Sequence, residues 1–382
     1  MASPPAPRPS VCKFCGKPFG VWRHEYLTIE PLCSHELPPL GRRAAVDHAD
    51  HVPKLAEFLQ RVLEEAYQVD FDGNDWISHG VYPCNKKIYV NMPPLLRSDP
   101  ETPGFRVPVE VEKRVKGNAS SAWLARRSRH ELNHVDYTEL DGILARDHCG
   151  KEISYTPSVF DANELFKWDA ADLRMAVEEL TPEWGIQSIQ MSIYQMCHEM
   201  PKVLRMPLLR DRIFHVLCIT AHSLLAAPED VEAGVLFESH TLQLPVNMKS
   251  FQDIAAITCK SHFRLKTRTY DANDVRSNPT FNADPQKGEV KLKHQGKKLT
   301  EGVYVSLERL REGPRTTTQL NETHLWDMMT RSDARGITRL ASWRTKNQEV
   351  LDAIAEDVFY VLEHIRRHRR AHAAPGDEAI PK

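Results

Sequence analysis

The sequence predicts an α+β fold in which an antiparallel sheet curves around one long C-terminal helix. Two observations carry that reading. Val350, Leu351, Ile354, Val358, Phe359, Leu362 and Ile365 recur every three or four residues, which puts them on one stripe of a helix over 345–370. The segments before it read mostly as strands. A helix with a single apolar stripe has to bury it against a sheet or another helix, and those strands supply the sheet. Asp352, Glu356, Asp357 and Glu363 fall mostly on the other side of the stripe. Thr345 followed by Gln348 fits a capping box at the helix start. Arg366, Arg367, His368, Arg369 and Arg370 place cations where the helix dipole is negative.

At 382 residues the chain has room for one large domain or two small ones. Hydrophobic residues at 41 % and charged residues at 27 % are ordinary for a globular protein. A formal net charge of -2 leaves no basic footprint, so no nucleic-acid partner is expected. No apolar run is long enough to span a bilayer, and Met1–Pro9 lacks the apolar centre of a signal peptide. Eight cysteines in a chain of this length point to reduced thiols, and together these features predict a cytoplasmic protein.

Residues 1–45 form a proline-rich arm carrying Cys12, Cys15, Cys33 and His35, with His24 as a spare. Cys12-Lys-Phe-Cys15-Gly16 resembles a zinc knuckle, because a glycine after the second thiol lets the backbone turn and bring amides to the sulfurs. Two close thiols and a distant Cys-x-His pair supply four tetrahedral N/S ligands, so the expected metal is a structural zinc with every position filled by protein. The alternative is a disordered arm with incidental thiols. The main domain is placed at 46–371, followed by a disordered tail at 372–382. No cofactor is expected in the main domain.

Val52, Leu55, Phe58, Leu59, Val62, Leu63 and Ala66 predict a helix over 50–68, with Asp50 and Pro53 near its start. Asp70–Asp75 has the look of a calcium loop but lacks the glycine placement and closing glutamate of one, and reads as a turn. Residues 79–116 read as loops and short strands.

His130-Glu131-Leu-Asn-His134 is a literal HExxH. On a helix both imidazoles would share a face and bind zinc while Glu131 activates a water, the arrangement of a metallopeptidase. No apolar helical stripe surrounds the motif. As a strand, Trp123–Leu132 puts Leu124, Arg126, Ser128 and His130 on one face and Glu131 on the other, and the catalytic arrangement disappears. The strand reading is preferred, and the metallopeptidase is the third-ranked activity.

A longer pattern then emerges. Trp123-x-x-Arg126-x-Ser128-x-His130, Tyr137-x-Glu139-Leu, Tyr155-Thr-Pro-Ser, Met196-Cys-His198-x-Met-Pro201, Asp211-Arg212-x-Phe214-x-Val216-Leu, Tyr304-Val-Ser306-Leu-Glu308-Arg309 and Trp326-x-Met-x-Thr330-Arg-Ser332-Asp333 occur in order. The chain thereby resembles a fungal family of START-like, SRPBCC-type domains of unknown function over about residues 50–370. His134 is an addition to that pattern, and Ala334-Arg335-Gly336 stands where a glycine pair is expected. The resemblance implies a helix-grip fold with an apolar cavity between sheet and C-terminal helix. Candidate strands are 122–132, 186–194, 212–222, 235–245, 257–269, 302–311 and 323–331. A short helix is expected over Asp136–Arg146, with Leu140, Ile143 and Leu144 buried. Residues 271–300 read as a long loop or exposed hairpin. Its Lys287, Lys291, Lys293, Lys297 and Lys298 are candidates for transient contact with a membrane surface.

Alternation groups Tyr304, Ser306 and Glu308 on one face, and likewise Trp326, Met328, Thr330 and Ser332. Polar groups facing an apolar cavity are costly unless paired, so Arg126, Ser128, His130, Tyr304, Ser306, Glu308, Trp326 and Thr330 are the candidate ligand-binding residues. A structural ion pair between Arg126 and Glu308 is the alternative for those two. His198 and Arg212 are further candidates. The leading function is binding of a lipid or other hydrophobic small molecule, with transfer as a possible extension. The second is a cyclase, isomerase or dehydratase acting on a polyketide-like substrate, with His130 and Glu308 as acid and base. No nucleophile elbow, P-loop or dinucleotide fingerprint occurs.

Overall fold

The computed structural model describes residues 11–40, 52–82, 111–117, 122–132, 135–200, 210–226, 235–252, 254–272, 285–313, 323–333 and 343–372. Asp50, His134, Pro201, Ala334–Gly336 and the tail from 373 on lie outside them. Helices are α1 (Leu55–Tyr67), α2 (Tyr137–Leu144), α3 (His148–Tyr155), α4 (Ala170–Val177), the single turn α5 (Ala255–Thr258), α6 (Pro285–His294) and α7 (Trp343–His372). Strands are β1 (Ile77–Tyr82), β2 (Val111–Lys116), β3 (Trp123–Glu131), β4 (Val159–Lys167), β5 (Ile186–His198), β6 (Arg212–Ala226), β7 (Val235–Pro245), β8 (Phe263–Arg264), β9 (Thr269–Tyr270), β10 (Thr300–Glu301), β11 (Val303–Arg311) and β12 (Thr323–Asp333).

One sheet runs β1-β2-β3-β12-β11-β7-β6-β5-β4, and β10 adds to β6. Every neighbour along that path is antiparallel, and only β10 runs parallel to its partner. The strand that follows α3 starts the far edge, and the chain then walks inward to β12, which closes on β3. The C-terminal helix packs across β2 and β3 and against α2 and α3. This is the α+β arrangement expected from the sequence, an antiparallel sheet packed against a long C-terminal helix.

Period-two alternation gives the sheet two different faces. On one face Ala125, Leu165, Met191, Ile193, Leu217, Ile219, Leu242, Leu244, Val305, Leu307 and Met329 join α1 (Phe58, Leu59, Val62, Leu63) and α4 (Leu173, Ala176) in the largest apolar core. The arm belongs to the same core through Tyr26, Leu27, Leu32, Leu37 and Leu40. The other face, turned toward α7, α2 and α3, carries most of the polar strand residues. Val358, Phe359, Leu362 and Ile365 of α7 pack there with Leu140, Leu144, Tyr155 and Trp326.

Several expectations are corrected. Residues 257–269 are not a strand: α5 is followed by the two-residue strands β8 and β9, whose short pairing forms a sheet of its own. Within 271–300 the described part is α6 rather than an exposed loop. Lys291 is 2 % exposed, with its ammonium 2.8 Å from Asp161 Oδ1, so it is not available to a membrane. Thr345 lies inside α7, which begins two residues earlier, and the Gln348 amide donates to Asp352 rather than to a cap. Glu363 is 2 % exposed and Asp357 is enclosed by protein, because α2, α3 and the sheet cover more of α7 than one stripe. α1 begins at Leu55, after Val52–Lys54 in non-helical conformation. The expected helix over 136–146 is α2, capped reciprocally by Asp136 and Glu139.

Candidate functional site

Residues 123–131 form β3, not a helix. Adjacent strand residues point to opposite faces, so Glu131 cannot join His130 on a metal, and the metallopeptidase arrangement is absent from the described part of HExxH. His134 is outside the described residues. His130 is 1 % exposed, with Nε2 2.9 Å from Ser128 Oγ. Its pKa is lowered to about 3 by burial and then by Arg126 and His324, so the imidazole is neutral at physiological pH.

The inner face gathers three of the expected residues in one contact group. The Arg126 guanidinium lies over the Trp326 ring at 3.7 Å from its centroid. Trp326 Nε1 donates to Glu308 Oε2 at 2.8 Å, and Glu308 Oε2 is 3.9 Å from Arg126 Nη2. The register explains the grouping: Arg126 is opposite Met328, which is opposite Glu308, and Trp326 sits one inward position along the strand. His148 of α3 brings Nε2 to 3.4 Å from Glu308 Oε1. Arg126 Nε also donates to the Ile354 carbonyl of α7 at 2.6 Å.

The remaining candidates separate. Ser306 Oγ donates to Gln243 Oε1 at 2.8 Å, and Gln243 Nε2 in turn reaches Cys149 Sγ at 3.2 Å. Thr330 Oγ1 donates to the Val305 carbonyl at 3.0 Å and so serves the β11–β12 ladder. Tyr304 packs against Phe214 with 5.1 Å between ring centroids. His198 packs edge-on against the same ring, and burial lowers its pKa to about 4. The Arg212 guanidinium donates to the Arg210 carbonyl. His130 and Glu308 are not brought together. They stand two strands apart and about 13 Å along the strand direction, with the Trp326 ring between them.

Two further carboxylates lie on the helices beside this group, Glu152 and Asp357, of which Asp357 is expected from the sequence on the polar side of the C-terminal helix. Glu152 follows His148 by four residues on α3, and Asp357 follows Ile354 by three on α7. Those spacings keep Glu152 on the helix face that carries His148 toward Glu308, and Asp357 one turn beyond the carbonyl that receives Arg126. Burial, followed by the charges of Asp357 and Glu308, pushes Glu152 up to about 8. Burial pushes Asp357 up to about 7, with Arg126 opposing and Glu308 and Glu356 assisting. Both keep some accessible surface although protein surrounds them, and so does Tyr304. The only sequence signal for these residues is acid on an otherwise packed helix, which a surface face produces equally well.

In the arm, the Sγ atoms of Cys12, Cys15 and Cys33 and an imidazole nitrogen of His35 all lie within 4.8 Å of one another. Gly16 has φ +72°, and its N–H donates to the Cys12 carbonyl at 2.8 Å, while the Phe14 N–H points at Cys12 Sγ at 3.5 Å. His24 is exposed and outside the cluster. A metal could be held by these four side chains.

A model of the family described as a protein of unknown function (DUF3074) matches residues 123–365. This chain belongs to that family. The match spans from the start of β3 into α7, and therefore covers Arg126, Glu152, Glu308, Trp326 and Asp357 but not the cysteine arm. No curated protein matches the DUF3074 chain. Among solved structures it is similar to human STARD10, with a TM-score of 0.38, 9 % identity and coverage of 87 % of this chain and 86 % of that one. It is also similar to the lipid transfer and protein localization domain of human StarD13 (DLC2), with a TM-score of 0.32, 10 % identity and coverage of 75 % and 89 %. Likeness at this level is weak, so the ligand has to be argued from the residues of this DUF3074 protein. Among its described residues no helix is long and apolar enough to cross a membrane.

Proposed function

We propose that this protein binds a lipid or other hydrophobic small molecule in the internal space between the inner face of the sheet and helices α3 and α7. The observation that carries the reading is the state of Glu152, Asp357 and Tyr304. Each keeps accessible surface while enclosed by protein, and each has its ionisation suppressed by that enclosure. Ile153, Ala162 and Phe214 lie partly accessible on the same side and give the space an apolar wall. An enclosed, mostly apolar volume with a few convergent polar groups suits a small molecule that is itself mostly apolar. The acid/base reading is not favoured, since Trp326 stands between His130 and Glu308 and burial lowers the His130 pKa to about 3, which leaves the imidazole too weak a base to take up a proton near neutral pH.

Native mass spectrometry of the protein from its own source tests this. A co-purifying apolar molecule, released on denaturation, is the expected result. A ligand-free protein that also fails to take up Nile red would overturn the reading.

We also propose that Cys12, Cys15, Cys33 and His35 hold a structural zinc ion. Four N/S donors within 4.8 Å suit its tetrahedral preference. The site would rivet the arm to the domain: beside Cys33 the Leu32 N–H donates to the Pro245 carbonyl and the Asn247 N–H donates to the Leu32 carbonyl, the Asn247 amide approaches Cys33 Sγ at 3.6 Å, and Ser34 and Ser250 are joined by two hydrogen bonds of 2.9 Å. Metal analysis should find one zinc per chain, lost in Cys33→Ser with a lower melting temperature. Metal-free protein that binds neither zinc nor cobalt under reducing conditions would overturn the proposal.

A further inference from the structure

The β8–β9 hairpin and the segment after α6 join into one small basic surface. Phe263 and Tyr270 pair across the hairpin and are buried with Phe160 and Leu299, so the alternate positions, Arg264 and Thr269, turn outward. The segment after α6 continues the ladder. Thr269 is opposite Lys298, the Tyr270 N–H donates to the Lys297 carbonyl at 2.8 Å, and the Leu299 N–H donates to the Arg268 carbonyl at 2.9 Å. Directly opposed residues share a face, so Arg264 and Lys298 flank Thr269 on the outer side. Arg268 closes the turn in the left-handed region, φ +58°, where its N–H donates to the Arg264 carbonyl at 2.7 Å. Arg264, Lys266, Arg268, Lys297 and Lys298 are all exposed.

The charge here runs against that of the chain. Residues 254–272 and 285–302 hold nine lysines and arginines against Asp271, Glu289 and Glu301, although the formal net charge of the whole chain is -2. Lys291 is taken by Asp161, Arg264 by Asp271, and Lys293 lies 3.7 Å from Glu199. The neighbouring acids are committed as well. Asp271 also accepts from the Gln295 amide, and Asp211, whose carbonyl receives the Thr300 N–H, has its carboxylate 3.2 Å from His294 Nε2. Lys266, Arg268, Lys297 and Lys298 form no ion pair among the described residues.

Four solvated cations on so short a stretch repel one another, and a surface of negative charge relieves that repulsion. Their arrangement favours a plane over a strand of nucleic acid. The cations stand on a hairpin of two-residue strands rather than along a groove, and its aromatic residues, Phe263 and Tyr270, both face inward and leave no ring to stack on a base. We propose that the outer side of the β8–β9 hairpin, with Lys266, Arg268, Lys297 and Lys298, docks this protein on an anionic lipid surface. The docking is independent of what the domain binds inside.

Sedimentation of the full chain with phosphatidylcholine vesicles, with and without phosphatidylserine, tests this. Binding should require phosphatidylserine and weaken as salt is raised. Two paired variants remove the cations: Lys266→Gln with Arg268→Asn, the asparagine suiting the left-handed backbone, and Lys297→Gln with Lys298→Gln. Each cation removed should weaken binding by about fivefold, so each pair by about 25-fold. Lys54→Gln with Lys167→Gln, which removes two exposed lysines elsewhere, should leave binding unchanged. Thermal melts show which variants are folded. Absence of binding at low salt, equal binding to both kinds of vesicle, or folded hairpin variants that bind as well as the Lys54/Lys167 control would each overturn the proposal. So would retention of a DNA duplex that depends on these cations without any binding to vesicles, which would give the surface a different partner.

Discussion

Arg126 Nε donates to the backbone carbonyl of Ile354 at 2.6 Å, which ties the middle of β3 to the middle of α7. That carbonyl lies within the helical ladder, so the contact adds a second acceptance without breaking the helix. The same guanidinium covers the Trp326 ring and faces Glu308. One side chain thus fixes the distance between sheet and helix at the level of the proposed site.

Arg126→Ala should cost about 3–5 kcal/mol, because removing the cation leaves Glu308, Asp357 and the Ile354 neighbourhood buried without their positive partner. Urea unfolding measures the loss, and hydrogen exchange should show the centre of α7 exchanging faster. A loss below about 1 kcal/mol would mean that the clamp contributes little beyond a surface contact.

Phe359 tests the other component of the same interface. It is 8 % exposed and lies 6.2 Å from Tyr82, ring centroid to centroid. Phe359→Ala should leave a cavity and cost about 3–5 kcal/mol. A change within experimental error would show that this part of α7 adapts by moving onto the sheet.

The docked face of α7 was legible because Ile354, Val358, Phe359, Leu362 and Ile365 are apolar at helical spacing, and all are buried. Strands β3, β5, β6, β7, β11 and β12 were legible for the same kind of reason, since alternation survives where each face meets a different environment. What escaped was set by long-range packing. Lys291 reads as a lysine open to a membrane surface until Asp161, far away on β4, is seen to receive it. Asp357 reads as the polar side of α7 until α3 closes over it. Of the expected site, Arg126, Glu308 and Trp326 do meet, because period-two facing and strand register are local properties once the neighbours are known. Glu152 and Asp357 lie on helices whose placement no local pattern encodes. Thr330 and Ser306 were picked for their facing, yet they spend their hydroxyls on Val305 and Gln243.

Asp161 organises the second buried polar group. It is fully buried and receives Lys291 at 2.8 Å, His262 Nδ1 at 2.7 Å and the Tyr270 hydroxyl at 3.0 Å. Burial alone would raise its pKa, yet His262 and Lys291 hold the carboxyl below the usual aspartate range. Its partners come from α6 and from the β8–β9 segment, so Asp161 pins both to β4. Asp161→Asn should destabilise by about 3–5 kcal/mol, since it strands a buried lysine. Lys291→Met should cost less, because His262 and Tyr270 still serve the carboxylate. Denaturation of the two variants decides the point, and the reverse order would refute the assignment of Asp161 as the hub.

The inner acids predict how stability depends on pH. Glu152 is raised to about 8 and Asp357 to about 7, both first by burial. Between about pH 4 and pH 8 the folded protein therefore holds protons that the unfolded chain has released. Stability linked to these groups is complete below the unfolded values and is lost as pH rises through the folded ones. Buried histidines act in the opposite direction. His130, His215 and His240 are lowered to about 3 by burial, so the unfolded chain binds more protons than the folded one from there up to about 6.5, and stability climbs over that window. Above about pH 6.5 the histidine contribution is complete and only the acids remain. The urea midpoint should accordingly decline from about pH 6.5 to about 8.5 in the wild type. Glu152→Gln removes the group with the higher value and should flatten that decline, and it should also steepen the climb between about pH 4.5 and 6.5, where Glu152 opposes the histidines. Superimposable slopes for wild type and variant above pH 6.5 would show that Glu152 is ionised in the folded protein and that the internal space is wetter than its enclosure implies.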